Sequence, residues 1–322
     1  MKPVQPTSAN IKKAADIIRS GGTVAFPTET VYGLGADGLN PVAVAKIFDI
    51  KNRPTFNPLI LHIGSIDQLH SVCRTNNDWV NKLIEKFWPG PLTLVLPKKE
   101  IVPEIVTADN PTVAVRMPDN KIALELIKHS QRPIAAPSAN LFNRLSPTTA
   151  EHVYTQIGNK VDMIIDGGAT EVGVESTIVE IENENVYLLR PGGITKEEIE
   201  KLLDRKVIVK QKSADPNSPG QLPFHYSPRT PLYFLNKVDL KQLKGNKVGA
   251  IFLFEQNVEF NFSEVNILSE DNNLREAAAN LFSALHHLDE QNLDLILVEP
   301  IPEEGLGLAM MDRLNKAAAN FS

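Results

Sequence analysis

The chain has 322 residues, 42% of them apolar, and a formal net charge of −6. That is enough for about two cored domains, and it is not the balance of a protein that grips nucleic acid by bulk charge. A single cysteine, Cys73, excludes an intramolecular disulfide framework and any multi-cysteine zinc site, leaving a small buried or surface thiol as the expectation.

In chain order, the opening MKPVQPTSANIKKAAD lacks an apolar core of signal-peptide length, and no run approaches the roughly eighteen apolar residues of a membrane span. A cytoplasmic location without a membrane segment is therefore expected. Helical patterns at 10–20, 41–50, 78–87, 121–130 and 148–157 alternate with strand-like runs. These runs are TVAF (23–26), TLVLP (93–97), TVAVR (112–116), PIAAP (133–137), MIID (163–166), STIVEI (176–181) and VYLLR (186–190). Several strands follow one another without a helix between them, which predicts an α/β fold with a mixed, twisted sheet. Residues 211–229, QKSADPNSPGQLPFHYSPR, are rich in Pro, Ser and polar groups and read as a linker. Beyond it, KVGAIFLF (247–254), a helix at 274–289, LDLILVEP (293–300) and a helix at 306–319 form a smaller α/β unit. The expected division is 1–210, a linker at 211–230, and 231–322. GLG at 305–307 is too short for a dinucleotide fingerprint and reads as a turn opening a helix. The chain carries no GxxxxGK[ST], so ATP, if bound, is held without a P-loop.

The most informative stretch is TVAFPTETVYGLGADGLNPVAVAKIFDIKNRPTFNPLILHI (23–63). Thr28, Glu29 and Thr30 follow a buried strand, where open α/β sheets form binding crevices, and Gly33 and Gly35 permit a tight turn or close approach to a ligand. Asn40 reads as an N-cap and Pro41 as the first helical residue, so the helix ends at Lys51. Arg53 lies two residues on, in a loop stiffened by Pro54 and Pro58 with the Asn57 amide between them. A stiff loop presenting two cations suits a polyanion such as a nucleotide phosphate chain. Taken singly, Lys51 could be only a helix-dipole partner and Arg53 a solvated charge.

Five further blocks occur in order: TVAVRMP (112–118), APSAN (136–140), SPT (146–148), GVESTIV (173–179) and LLRPGGIT (188–195). With the 23–63 stretch and the linker motif SPGxxxxHYSP they resemble, along the whole chain, the YrdC-like family, specifically its two-domain threonylcarbamoyl-AMP synthases. The resemblance implies a YrdC-like twisted mixed sheet whose helices form an open cleft, followed by a smaller Rossmann-like α/β domain. It implies synthesis of L-threonylcarbamoyl-AMP from L-threonine, bicarbonate or CO2, and ATP, with release of pyrophosphate. Thr30, His62, Arg116, the Ala136 backbone and Ser176 would contact threonine. Arg53, Asn57, Thr112, Ser138, Ser146, Arg190 and Tyr226 would contact ATP, and Lys51, with Arg53, would act at the reacting carbamate and α-phosphate. Mg2+ would arrive with ATP, no metal ligand set is implied, and the linker would close over the nucleotide. The product would pass to the tRNA threonylcarbamoyltransferase, without direct tRNA binding by this chain.

The plain readings of the same residues stay beside these. His62 could be a satisfied core histidine, Ser138, Ser146 and Ser176 could be caps or turn formers, and Glu29 could simply pair with a nearby cation. The chain departs from the family pattern at Leu141, Phe142 and Asn143, where small residues and Gly are common, and at the uncharged Gln221, Leu222, Pro223 and Phe224. An RNA-binding module of the same fold, assisting tRNA or ribosome maturation, is the alternative, opposed by the acidic balance. A zinc-finger hydrogenase-maturation carbamoyltransferase is excluded by the cysteine count.

Overall fold

Residues 2–210, 225–256 and 258–321 are described by a computed structural model. The expected linker therefore lies largely outside the described residues, which include only its end, from His225 onward.

Local signals set the helices. The Asn40 side chain accepts the N–H groups of Val42 and Ala43, Pro41 opens the helix Pro41–Lys51, and Asn52 ends it in the left-handed region at φ 52°. Asn77 and Asn120 cap the helices Asp78–Phe87 and Lys121–Ser130 in the same way. The helix Ala150–Ile157 starts two residues later than its periodicity suggests because Thr149 is spent as its cap.

The strands of the first unit are β1 (Val24–Phe26), β2 (Gly33–Asp37), β3 (Ile60–His62), β4 (Leu92–Pro97) and β5 (Thr112–Arg116), followed by β6 (Ile134–Ala135), β7 (Met163–Ile164), β8 (Thr177–Glu182), β9 (Asn185–Arg190) and β10 (Val207–Val209). Among the described residues they form one ten-stranded sheet, ordered β10-β9-β8-β4-β5-β3-β6-β2-β1-β7. The sheet is mixed: β3 runs parallel to β5 and β4 to β8, while β4–β5 and β8–β9 are antiparallel.

Periodicity does not reveal β2, because its glycines mask it. The strand is wholly buried between β1 and β6. A Cβ on Gly35 would sit 2.7 Å from both Ile134 Cγ2 and Phe26 Cε1, so glycine there answers to packing rather than to a turn.

The second unit carries β11 (Leu232–Phe234), β12 (Val248–Phe252), β13 (Glu264–Ile267) and β14 (Leu295–Val298) in an all-parallel sheet ordered β11-β14-β12-β13. The helices Leu274–Asp289 and Leu306–Ala318 pack with it. Its hydrophobic cluster does not stop at the unit's edge: Val31, Leu145, Val174 and Tyr226 join Phe282, Leu285 and Met310 in one apolar core. Gly173 (φ +72°) lies where a Cβ would come within 2.4 Å of the Ala278 carbonyl oxygen, so the first unit's backbone is pressed against the helix Leu274–Asp289. Among the described residues, no helix is long and apolar enough to cross a membrane.

Candidate active site

Strand register brings the polar residues together. His62 and Arg116 are direct partners in the parallel β3–β5 pair, so both side chains leave the same face of the sheet. Arg190 ends β9, and its guanidinium reaches the residue just before β8, donating from Nε (3.0 Å) and Nη2 (2.8 Å) to the Ser176 carbonyl and from Nη2 to Ser176 Oγ (3.0 Å). Ser176 Oγ also lies 2.7 Å from Thr93 Oγ1 on β4. Gly192 fits closely here, because a Cβ would fall 2.2 Å from the Glu175 carbonyl oxygen.

The loop after β1 adds the second wall. Thr28 Oγ1 and Thr30 Oγ1 are 2.8 Å apart, and Arg116 donates from Nη1 to Thr30 Oγ1 (2.9 Å) and from Nε to the Gly90 carbonyl (3.2 Å). Arg116 Nη2 also forms a buried ion pair with Glu29 at 2.7 Å. The 137–139 segment lies alongside β2, through Leu34 N–H to Pro137 O, Ala139 N–H to Tyr32 O and the Gly33–Ser138 bridge. The Ala136 N–H is spent on Ile60 O, so any substrate contact there falls to its carbonyl.

The result is a cavity open to solvent. It is lined by Thr30, His62, Arg116, Ala136 and Ser176 from the threonine set and by Arg53, Ser138, Arg190 and Tyr226 from the ATP set. Thr28, Gly33, Glu175 and His225 complete much of the remainder. Lys51, Asn57, Thr112 and Ser146 stand outside this lining. Lys51 is fully buried behind it, with Nζ donating to the Ser138 carbonyl (2.6 Å) and the Asn140 carbonyl (2.5 Å). Asn57 is buried in the stiff loop, where its carbonyl accepts from Arg53 Nε (3.1 Å) while neither atom of its amide side chain finds a hydrogen-bond partner. Thr112 begins β5, at the opposite end of that strand from Arg116. Ser146 donates through Oγ to Glu175 Oε1 at 2.5 Å.

The electrostatics suit an anion. Burial, opposed by Tyr226 and reinforced by Arg190, pulls the Arg53 guanidinium down to about 9. Burial likewise lowers Arg190, despite Tyr226 and Glu175, and it lowers Lys51 well below the usual lysine range, with Arg53 adding to the effect. Each shift expresses buried positive charge lacking full compensation, which a bound polyanion would supply. His62, whose Nδ1 has no hydrogen-bond partner, is held down to about 3 by burial and then by Arg116, so at neutral pH it is an uncharged ring.

The Leu141-Phe142-Asn143 departure has a visible consequence. The Phe142 N–H donates to the Lys51 carbonyl (2.8 Å), the Phe142 ring meets His225 edge-on at 5.9 Å, and Asn143, at φ 64°, offers its carbonyl to Ser227 N–H (2.8 Å). The bulky loop thus receives the end of the linker, and His225 and Tyr226 are both buried against the cavity.

Two residues of this arrangement are not among those the sequence singles out. Glu175 lies inside the GVESTIV block, and a carboxylate there is a usable signal. Arg313, which reaches Glu175 from the second unit at 2.8 Å, gives none: in its helix it reads as an ordinary cation.

Comparison with known proteins agrees with this architecture. A family model described as "Telomere recombination" matches residues 16–192, and one described as "Threonylcarbamoyl-AMP synthase, C-terminal domain" matches 194–319. The chain is 46% identical over 324 residues to a threonylcarbamoyl-AMP synthase of Pyrococcus abyssi, covering 96% of this chain and 94% of the relative. It is 42% identical over 320 residues to a Bacillus subtilis protein of the same name, covering 96% and 92%. The crystal structure of P. abyssi Sua5 complexed with L-threonine superposes with a TM-score of 0.90 at 44% identity, over 97% of this chain and 95% of that one. With both family models matched and the relatives aligned nearly end to end, this chain belongs to the two-domain threonylcarbamoyl-AMP synthase family, with its YrdC-like first domain.

Proposed function

We propose that the chain makes L-threonylcarbamoyl-AMP from L-threonine, bicarbonate or CO2, and ATP, releasing pyrophosphate. The observation that carries this reading is a single cavity lined by Thr30, His62, Arg116 and Ser176 on one side and by Arg53, Ser138 and Arg190 on the other. Threonine and a nucleotide polyphosphate have complementary seats within reach of each other.

Arg116 seats the threonine carboxylate. Its Nη1 bond to Thr30, its Nε bond to the Gly90 carbonyl and its charge pairing with Glu29 hold the guanidinium in place, and Nη2, which has no hydrogen-bond partner, keeps its N–H groups for a carboxylate oxygen. His62, neutral at pH 7, offers a ring that neither repels the substrate ammonium nor adds a charge. The threonine ammonium loses one proton to solvent, its freed lone pair bonds to the carbon of CO2, and a second proton leaves the nitrogen to solvent to give the carbamate, one oxygen of which then attacks the α-phosphorus as the bond to pyrophosphate breaks. The protein's contribution is to hold two anions together: at ~4 Å, two unit charges repel by roughly 4 kcal/mol at an effective dielectric near 20. Arg53 and Arg190 offset that repulsion. Lys51 acts by fixing the Ser138 and Asn140 carbonyls beside the site, and Asn57 and Ser146 support the nucleotide side from behind it, while Thr112, at the far end of β5, is given no role.

Mg2+ arrives as the ATP complex. The cavity's lining carboxylate, Glu175, is already committed to Arg313 and Ser146, which does not fit a resident metal ligand. The cavity's cations are buried rather than arrayed outward and suit a small anion, so the adenylate, not the protein, is what reaches tRNA, through the threonylcarbamoyltransferase, in the cytoplasm. The division 1–210, 211–230 and 231–322 belongs to this reading, with the end of the linker, His225 and Tyr226, at the cavity.

The test is incubation with ATP, magnesium, bicarbonate and each of several amino acids, with pyrophosphate and the adenylate measured. Product should require threonine and bicarbonate together. ATP turnover indifferent to threonine, or salt-sensitive tRNA binding with no turnover, would refute the reading.

A further inference from the structure

The helix Leu306–Ala318 of the second unit sends one side chain into the first. Arg313 is fully buried; its Nε donates to Glu175 Oε2 (2.8 Å), and its Nη1 donates to the Pro191 carbonyl (2.7 Å) and to Asp312 Oδ2 (3.0 Å). Its guanidinium also stands 5.3 Å from the centre of the Tyr226 ring. Glu175 faces the cavity beside Arg53 and Arg190, the groups that would meet a triphosphate. A carboxylate is the wrong charge for that position, and burial alone would raise its pKa. Arg313 first, then Arg190 and the Ser146 hydroxyl, reverse the direction and keep it ionised.

We propose that Arg313 is a positioning residue for the nucleotide side of the cavity. Its guanidinium neutralises Glu175, holds that carboxylate between Ser146 and the second unit, and supports the Tyr226 ring, so that the phosphates meet Arg53 and Arg190 alone. One task of the second unit is then to set ATP affinity, while the polar contacts of the threonine seat are made within the first unit. The inference rests on the reading of the cavity as an ATP and threonine site.

Calorimetric titration of the full chain with MgATP, and separately with L-threonine, tests it. Arg313→Met should weaken MgATP binding tenfold or more and leave the threonine Kd within about twofold. Arg313→Lys, which keeps the charge but not the forked contacts, should fall between. The deciding variant is Glu175→Gln combined with Arg313→Met: once the carboxylate charge is gone, the guanidinium is no longer needed, and most of the ATP affinity should return. A purely structural arginine would give no such rescue. The proposal is overturned if Arg313→Met or Arg313→Lys binds MgATP as wild type does, if the double variant stays as weak as the single one, or if ATP and threonine affinity fall together. Should the wild-type chain itself bind neither ligand, the ATP reading falls, and this inference with it; normal wild-type binding with an inert Arg313 defeats this inference alone.

Discussion

The two sides of the cavity are built differently. The side proposed for threonine is held by one sheet and the loops beside it: His62 and Arg116 are register partners, Ser176, just before β8, hydrogen-bonds to Thr93, and Thr30, after β1, is fixed by Arg116 and Thr28. The side proposed for the nucleotide is assembled across a seam, where Glu175 is held by Arg313 and the Tyr226 ring shares the second unit's apolar core. A sheet positions side chains by backbone hydrogen bonds that hardly move, whereas a seam positions them only as well as two bodies dock. The first arrangement suits a small substrate that must be read closely, and the second suits a site that has to admit a large one.

The strongest way to break the comparison lies on the sheet side. Arg116→Lys should lower kcat/KM for threonine by roughly 10² to 10³, because an ammonium cannot reproduce a forked contact while also satisfying Thr30 and Glu29. A steady-state analysis with an unchanged threonine KM and a weakened ATP KM would move Arg116 to the other side of the cavity.

Lys51→Ala should cost about 10² in turnover. It should also lower thermal stability, since the buried Asn140 carbonyl loses its donor at about 1–3 kcal/mol and the partly buried Ser138 carbonyl loses its donor as well. A melting curve matching wild type alongside lost turnover would mean the ammonium acts on the reactants rather than on the loop.

Tyr226→Ala, on the seam, should weaken ATP binding by about tenfold, with little effect on threonine, through lost stacking and a loosened linker end. Calorimetry with each ligand distinguishes this from a general loss of fold.

Acid stability is a smaller effect, and both regions contribute to it. Burial holds His62 and His152 down to about 3 and His286 down to about 4. The unfolded chain takes up these protons near 6.5, so the stabilisation is present above that pH and is lost as pH falls toward 4, by about 1.4 kcal/mol per pH unit for each histidine. His286 stacks on His152 across the seam, with ring centroids 3.8 Å apart, and lies 3.1 Å from the Ser146 carbonyl. His286→Gln should therefore flatten the fall of Tm between pH 6.5 and 5 without abolishing it, because the His62 share remains.

Legibility from the sequence divides along similar lines. Caps and periodicity locate most helices to within a residue or two, because Asn40, Asn77 and Asn120 act on their own next turn. The strand β2 is hidden, since Gly33 and Gly35 carry no β signal and their need for glycine comes from Phe26, Ile134 and Ala136 packing against them. In the site, residues within motif blocks can be named in advance. How Lys51 is spent on the Ser138–Asn140 backbone, and how Arg313 joins a site 138 residues away, depend on the docked tertiary structure and have no local signature.

Hydrogen exchange at backbone amides, followed with threonine alone and with MgATP alone, tests the division most directly. Threonine should slow exchange within 28–36, 60–63 and 113–117 and leave the second unit unchanged. MgATP should slow exchange at 53–57, at 144–148 and in the helix Leu306–Ala318 as well, because nucleotide binding tightens the seam. Protection by MgATP confined to the first unit, or protection of the Leu306–Ala318 helix by threonine alone, would contradict the account.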